Sequence, residues 1–184
     1  LGSLLKGADP VLRFSGGINA DPVKLAEEVK RLGIEGVVAK RADSLYEVGK
    51  RTGSWIKWKS TNSQEFVIGG YTKPKGGRNY FGALVVGYFD KDRFLYASKV
   101  GTGFSDATLK KLHAQMQELG QQECPFANLP VPRSAPFGQG LTASEMKNCS
   151  WLKPKLVCEV QFLEWTRDGQ LRAPSFKGLR PDKD

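Results

Sequence analysis

A short mixed α/β segment followed by an all-β barrel with one inserted helix is the fold class this sequence predicts. Three observations lead there. A capped amphipathic helix and two short strands fill residues 21–60, the texture after residue 62 changes to strands separated by polar turns, and one helical repeat interrupts those strands midway.

Asp21-Pro22 opens the first helix, with Asp as N-cap and Pro at the first helical position. Leu25, Ala26, Val29 and Leu32 recur at helical spacing and Gly33 ends the run. Ile34–Lys40 follows as a strand, β-branched at its centre, and the polar loop Ala42–Gly53 leads to a second strand near Ser54–Ser60. A helix and two strands cannot bury a core alone, so these pieces are expected to end a larger α/β unit. The first residue, leucine, fits a fragment or processed chain.

Beyond Thr61-Asn62-Ser63, the segments Glu65–Tyr71, Ala83–Phe89 and Arg93–Val100 are expected as strands, joined by turns at Lys73–Arg78 and Asp90–Asp92. Ser105 caps the inserted helix, whose apolar stripe is Leu109, Leu112, Met116 and Leu119; that spacing suits core packing, with His113 just off the stripe. Cys124–Ser144, rich in Pro, Gly and small residues, is expected as a long connection. Leu156–Trp165 alternates as a strand, and Leu171–Phe176 is expected as the last one after the Asp168-Gly169 turn. About five strands with one helix midway is the pattern of an oligonucleotide/oligosaccharide-binding (OB) barrel. An unrelated small barrel or sandwich fits the pattern too. The boundary is placed after Asn62, giving domains 1–62 and 63–184.

Bulk properties narrow the partners. The 184 residues carry 28 Lys+Arg against 19 Asp+Glu, a net charge of +9, which favours polyanions. No apolar run approaches the ~18–20 residues a bilayer span needs, and neither a signal peptide nor a lipidation motif is present, so nucleic acid is favoured over a membrane surface. Cys124, Cys149 and Cys158 form no Cys-x-x-Cys pair and His113 is the one histidine, a pattern of idle reduced thiols in a cytosolic protein rather than of a zinc site.

Three segments carry chemistry. At the C-terminus, Arg172-Ala-Pro-Ser-Phe-Lys-Gly-Leu-Arg-Pro-Asp-Lys183 gathers Arg172, Arg180 and Lys183, which can bind phosphate oxygens, with Asp182, which can orient a lysine or a metal-bound water. Pro174 and Gly178, flanking Phe176, are expected to shape a loop that presents these charges; a solvated basic tail is the bland alternative. In Trp55-Ile-Lys-Trp-Lys59, strand alternation puts Lys57 and Lys59 on one face, ~7 Å apart, and Ile56 and Trp58 on the opposite, buried face. Two such ammonium groups suit a phosphoryl group under attack, although an edge strand also carries solvated lysines. In Glu35-Gly-Val-Val-Ala-Lys40-Arg41, Gly36 admits a ligand or a neighbouring backbone, and Glu35 could give Mg²⁺ one carboxylate, or be an ordinary surface residue. Lys40 falls on the other strand face from Glu35.

The three segments resemble motifs IV (Glu35–Lys40), V (Trp55–Lys59) and VI (Arg172–Lys183) of ATP-dependent DNA ligases, in the family's order and spacing. Gln64-Glu-Phe-Val-Ile-Gly-Gly-Tyr-Thr72, Phe81-Gly-Ala-Leu-Val-Val-Gly-Tyr88, Val100-Gly-Thr-Gly-Phe104 and Glu159-Val-Gln-Phe-Leu-Glu-Trp165 resemble the bacterial ligase D branch, which works in non-homologous end joining. The resemblance implies the end of a nucleotidyltransferase domain followed by a complete OB domain. It also implies a three-step reaction: lysyl-AMP formation from ATP, AMP transfer to the 5′-phosphate of a nick, and displacement of AMP by the 3′-hydroxyl. On that template Glu35 helps bind Mg²⁺ or Mn²⁺, Lys57, Lys59 and Lys40 contact the adenylate phosphate, and Arg172, Arg180, Asp182 and Lys183 orient the pyrophosphate leaving group. Lys73, Lys75 and Arg78 are the expected DNA-phosphate contacts. Implied partners are nicked or broken duplex DNA, the N-terminal half of the nucleotidyltransferase domain and a Ku-like end-binding protein, at the nucleoid in a bacterial cytoplasm.

The chain departs from the family in its nucleophile motif and in the metal- and ribose-binding motifs that follow it there, which are absent. It has no Lys-x-Asp-Gly nucleophile motif, since Thr166 stands where the lysine would precede Asp168-Gly169, so self-adenylation is not expected of it alone. Two other readings stand beside this one. One is a non-catalytic OB module in which Tyr80, Phe81 and Tyr88 stack on bases; the other is a relative of RNA ligases and capping enzymes.

Overall fold

The computed structural model describes residues 3–7, 9–12, 14, 16–50, 52–74, 76–131 and 140–182. Contacts divide the chain into two compact units, Leu1–Ser60 and Thr61–Asp184.

In the first unit, helix α1 (Pro22–Arg31) starts where Asp21 accepts the backbone N–H groups of Val23 and Lys24, at 2.9 and 3.0 Å. Two otherwise unpartnered donors of the first turn are satisfied in this way. Strands β1 (Gly36–Lys40) and β2 (Trp55–Lys59) form an antiparallel ribbon, with Gly36 opposite Lys59 and Lys40 opposite Trp55. Gly36 takes φ +157°, and a Cβ there would collide with the carbonyl oxygen of Trp58. Its role is close approach of neighbouring backbone. The expectation that Ile56 and Trp58 are buried is not met: Ile56 is 61% exposed and Trp58 half-buried. Two strands and one helix supply too little apolar surface to cover a sheet face.

The second unit is an antiparallel sheet of β3 (Asn62–Thr72), β4 (Leu84–Asp90), β5 (Arg93–Val100), β6 (Gly120–Gln121), β7 (Cys149–Phe162) and β8 (Ser175–Leu179). The strands run in the order β5-β4-β3-β7-β6, and β8 also pairs with β7. Leu171 N–H donates to the Ala97 carbonyl at 3.2 Å and Phe176 N–H to that of Thr102 at 2.9 Å. These bonds carry the last segment back to the β5 side, so the sheet curls into a barrel. Gly103, at φ +92°, lets the chain pass against β8, where a Cβ would strike the backbone of Phe176. The barrel core holds Phe66, Ile68, Leu84, Val86, Cys158, Val160 and Phe162. Helix α2 (Asp106–Gln117), capped by Ser105, adds Leu109, Leu112 and Met116 to it, as the stripe predicts.

Several elements differ from expectation. Strand β7 begins at Cys149 rather than Leu156 and ends at Phe162, and the short β6 was not foreseen. The stretch 124–144 is not simply a connection: Phe126 is buried and stacks on Phe94 with centroids 4.5 Å apart, and Leu141 is fully buried beside them. A one-turn helix, α3 (Ala143–Met146), closes the stretch with a reciprocal cap between Thr142 and Glu145. The last strand begins at Ser175 rather than Leu171, which makes only an isolated bridge to Trp165. Ala173 at φ +50° turns the chain and Pro174 has no N–H to give a ladder, so pairing starts after them. Phe176 and Gly178 therefore lie in a strand, not in a charge-presenting loop.

Candidate functional site

The β1–β2 ribbon carries Lys40, Lys57 and Lys59, with Glu35 just before β1. Lys57 and Lys59 are exposed and stand opposite Val38 and Gly36. The backbone carbonyl of Glu35 accepts the Ser60 N–H at 2.8 Å, which brings Glu35 and Lys59 to the same end of the ribbon. Lys40 is at the other end, its ammonium 4.2 Å above the ring of Trp55. An exposed cation–π contact of this kind is worth about 0.5–1 kcal/mol.

In the second unit the two arginines of the C-terminal segment stand in different settings. Arg172 Nη1 pairs with Glu164 at 2.8 Å, and the backbone N–H of Arg172 donates to the Glu164 carbonyl. Arg180 leaves the end of β8, its backbone N–H on the Val157 carbonyl at 2.9 Å. Asp182 takes its Nε and Nη2, at 3.0 and 2.9 Å, while Glu65 of β3 takes Nη1 at 2.8 Å. The hydrogen bond and charge of Asp182, then the charge of Glu65, raise the Arg180 pKa further above its ordinary value. Lys183 lies outside the described residues.

Lys73 and Arg78 line a cleft of about 610 Å³ in the same unit, together with Lys99, Glu145, Asn148 and Thr102. Arg78 Nη1 donates to the Gly101 carbonyl at 2.7 Å and its guanidinium lies 5.6 Å from the centre of the Phe104 ring. Lys99 Nζ meets Glu145 at 2.9 Å. Burial disfavours the Glu145 carboxylate, but hydrogen bonds from Thr142 and Lys99 and the Lys99 charge outweigh it and lower its pKa. Sequence reasoning passed over Lys99 and Glu145, which become neighbours only when α3 is placed against β5. The Thr142-to-Glu145 spacing was the one available signal, and it marks a helix start, not a cleft. Lys75 lies outside the described residues.

Other chemistries find less support. Burial raises the thiol pKa of Cys158 to about 12 and of Cys149 to about 11, and raises that of Cys124, which leaves the thiols protonated and poor nucleophiles. Among the described residues no group of three or more His, Cys, Asp or Glu side chains is placed to hold a metal ion. Glu35 therefore suits a divalent ion only as one ligand among donors from elsewhere. The base-stacking reading is weakened too, because Phe81 is fully buried and Tyr88 packs edge-on against Trp165 at 5.6 Å. No helix among the described residues is long and apolar enough to cross a membrane.

Comparison with known proteins decides the family. Residues 77–183 match the family model described as the ATP dependent DNA ligase C terminal region. The chain belongs to the ATP-dependent DNA ligases. It is 41% identical over its whole length to the multifunctional non-homologous end joining protein LigD of Pseudomonas aeruginosa. The multifunctional non-homologous end joining DNA repair protein LigD of Mycobacterium tuberculosis is 41% identical over 84% of the chain. This ligase segment spans about a fifth of each relative, 21% and 19% respectively. The crystal structure of the ligase domain from M. tuberculosis LigD superposes with a TM-score of 0.60 at 36% identity, covering 99% of this chain and 55% of that one. A mycobacterial DNA ligase D complexed with ATP and MES superposes with a TM-score of 0.56, again at 36% identity over 99% of this chain and 55% of that chain. The mostly-β architecture with few helices is that of a ligase OB domain.

Proposed function

We propose that this segment is the C-terminal part of the catalytic core of an ATP-dependent DNA ligase that seals nicked or broken duplex DNA in bacterial end joining. The observation that carries the reading is the 41% identity to an end-joining LigD across the entire chain, motif segments included. In the proposed reaction a lysine Nζ attacks the α-phosphorus of ATP and expels pyrophosphate. AMP then passes to the 5′-phosphate at the break, and the 3′-hydroxyl displaces it to form the phosphodiester.

Residues 1–62, the first unit with the opening of β3, are read as the end of a nucleotidyltransferase domain, whose N-terminal half supplies the nucleophilic lysine that this chain lacks. Lys57 and Lys59 are exposed and would lie along the adenylate phosphate, where paired cations offset developing charge. Lys40 is a more distant contact, engaged by Trp55. Glu35 would give Mg²⁺ or Mn²⁺ one carboxylate, the other donors being nucleotide phosphates and water; such an ion screens phosphate charge. Arg172, Arg180, Asp182 and Lys183 are assigned to orienting pyrophosphate, and Lys73, Lys75 and Arg78 to the DNA backbone. A Ku-like protein delivering the ends, in the bacterial cytoplasm at the nucleoid, completes the proposal.

The test is reconstitution. Joined to the N-terminal half of its nucleotidyltransferase domain, the chain should acquire label from ATP on a lysine of that half, while the chain alone should not. A folded reconstitution that takes up no label would overturn the reading.

A further inference from the structure

We infer that Glu65 is a positioning residue that competes with the nucleotide's phosphates for Arg180, holding the arginine in reserve between turnovers. This rests on the assignment of Arg180 to the pyrophosphate-orienting motif. The geometry points to competition because all three guanidinium nitrogens are committed. Asp182 occupies Nε and Nη2, and Glu65 occupies Nη1. A phosphate taken in the bidentate manner needs an edge of two adjacent N–H donors; Asp182 holds the Nε–Nη2 edge, and the Glu65 carboxylate lies in ion-pair contact with Nη1 of the other.

The two carboxylates are not equivalent. Asp182 lies two residues along the chain and travels with Arg180, so it can keep orienting the guanidinium through Nε in any state. Glu65 belongs to β3 and is fixed in the barrel wall. There it stands directly opposite Glu159 in the β3–β7 register, and Glu159 is itself held by the Ser63 hydroxyl. Two carboxylates in register repel each other, and Arg180 is the cation beside them. The site is open: the Arg180 and Glu65 side chains are 34% and 37% exposed, on a shallow depression that also includes Ser63, Gln64 and Glu159. An incoming triphosphate can reach Arg180 from solvent and displace Glu65, exchanging one anion for a more highly charged one.

The experiment uses the full-length ligase and two assays, self-adenylation as a function of ATP concentration and sealing of DNA that already carries AMP. Glu65→Gln keeps the side-chain shape and removes the competing charge. Its KM for ATP in self-adenylation should fall about two- to fivefold, the range of one half-exposed ion pair, with sealing of pre-adenylated DNA unchanged. Arg180→Ala should raise that KM, and the double variant should behave as Arg180→Ala alone. Glu65→Ala, which removes the carboxylate without leaving an amide in its place, should move KM in the same direction as Glu65→Gln. If Arg180→Ala raises KM while both Glu65 variants leave it unchanged or raise it, the competition is refuted and the motif assignment stands. A loss in both assays with a lowered Tm would mark Glu65 as merely structural and also refutes it. If Arg180→Ala leaves self-adenylation untouched, the motif assignment falls and takes the inference with it.

Discussion

Lys99 and Glu145 show how a single ion pair joins two distant stretches of the ligase segment. The pair sits on the wall of the cleft, with side chains 17% and 40% exposed, and Glu145 also closes the cap of α3 through Thr142. Because the folded-state pKa of Glu145 is lowered, its ionised form binds its surroundings better in the folded chain than in the unfolded one. The stabilisation is therefore full above the ordinary carboxylate value and is lost as pH falls through the depressed one. Glu145→Gln should cost about 0.5–1 kcal/mol near neutral pH, discounted for solvent screening, and the difference from the parent should close as pH falls through the depressed carboxylate value. Urea unfolding midpoints at several pH values measure this. A gap that stays constant with pH would mean that the cap geometry, not the charge, matters.

Among the elements, the segment around Phe126 has the largest consequence for stability. It lays an aromatic ring across the outside of the β3–β5 sheet, over Gly69 and Gly87, whose missing side chains make the room. The Ala127 N–H donates to the Phe94 carbonyl at 2.8 Å and pins the segment to β5. Phe126→Ala should cost about 3–5 kcal/mol, since the ring is buried between Phe94, Tyr96 and Trp151. Thermal unfolding reads this directly, and a loss below about 1 kcal/mol would show that the segment is dispensable. Strand β8 matters for another reason: it starts only after Ala173 and Pro174, which leaves Arg172 with Glu164 and delivers Arg180 to Glu65.

For the whole molecule, the net charge of +9 predicts salt-sensitive DNA binding, to which Lys73 should contribute one phosphate contact. Lys73→Ala should weaken binding to nicked duplex and make the slope of log affinity against log salt shallower by about 0.9, with no change in sequence preference. Lys73 is a cleaner probe than Arg78, which is also tied to Gly101 and Phe104. An unaltered slope would remove the cleft from the DNA interface.

Much of the fold was legible because its signals are local. The Asp21 and Ser105 caps, the α2 stripe, the turns that bound β3, β4 and β5 and the alternation over Leu156–Phe162 of β7 depend on neighbours within a few residues, and so did the motif segments that disclosed the family. The burial of Phe126, the late start of β8 and the exposure of Ile56 were not legible, because each depends on which surface is available opposite, and that is a long-range property. The candidate site divides in the same way. Sequence alone determined which charged residues this ligase segment carries and in what order. Only the tertiary structure decided that Arg180 is held by Glu65, 115 positions away, since that contact exists solely because β3 and β8 both pair with β7.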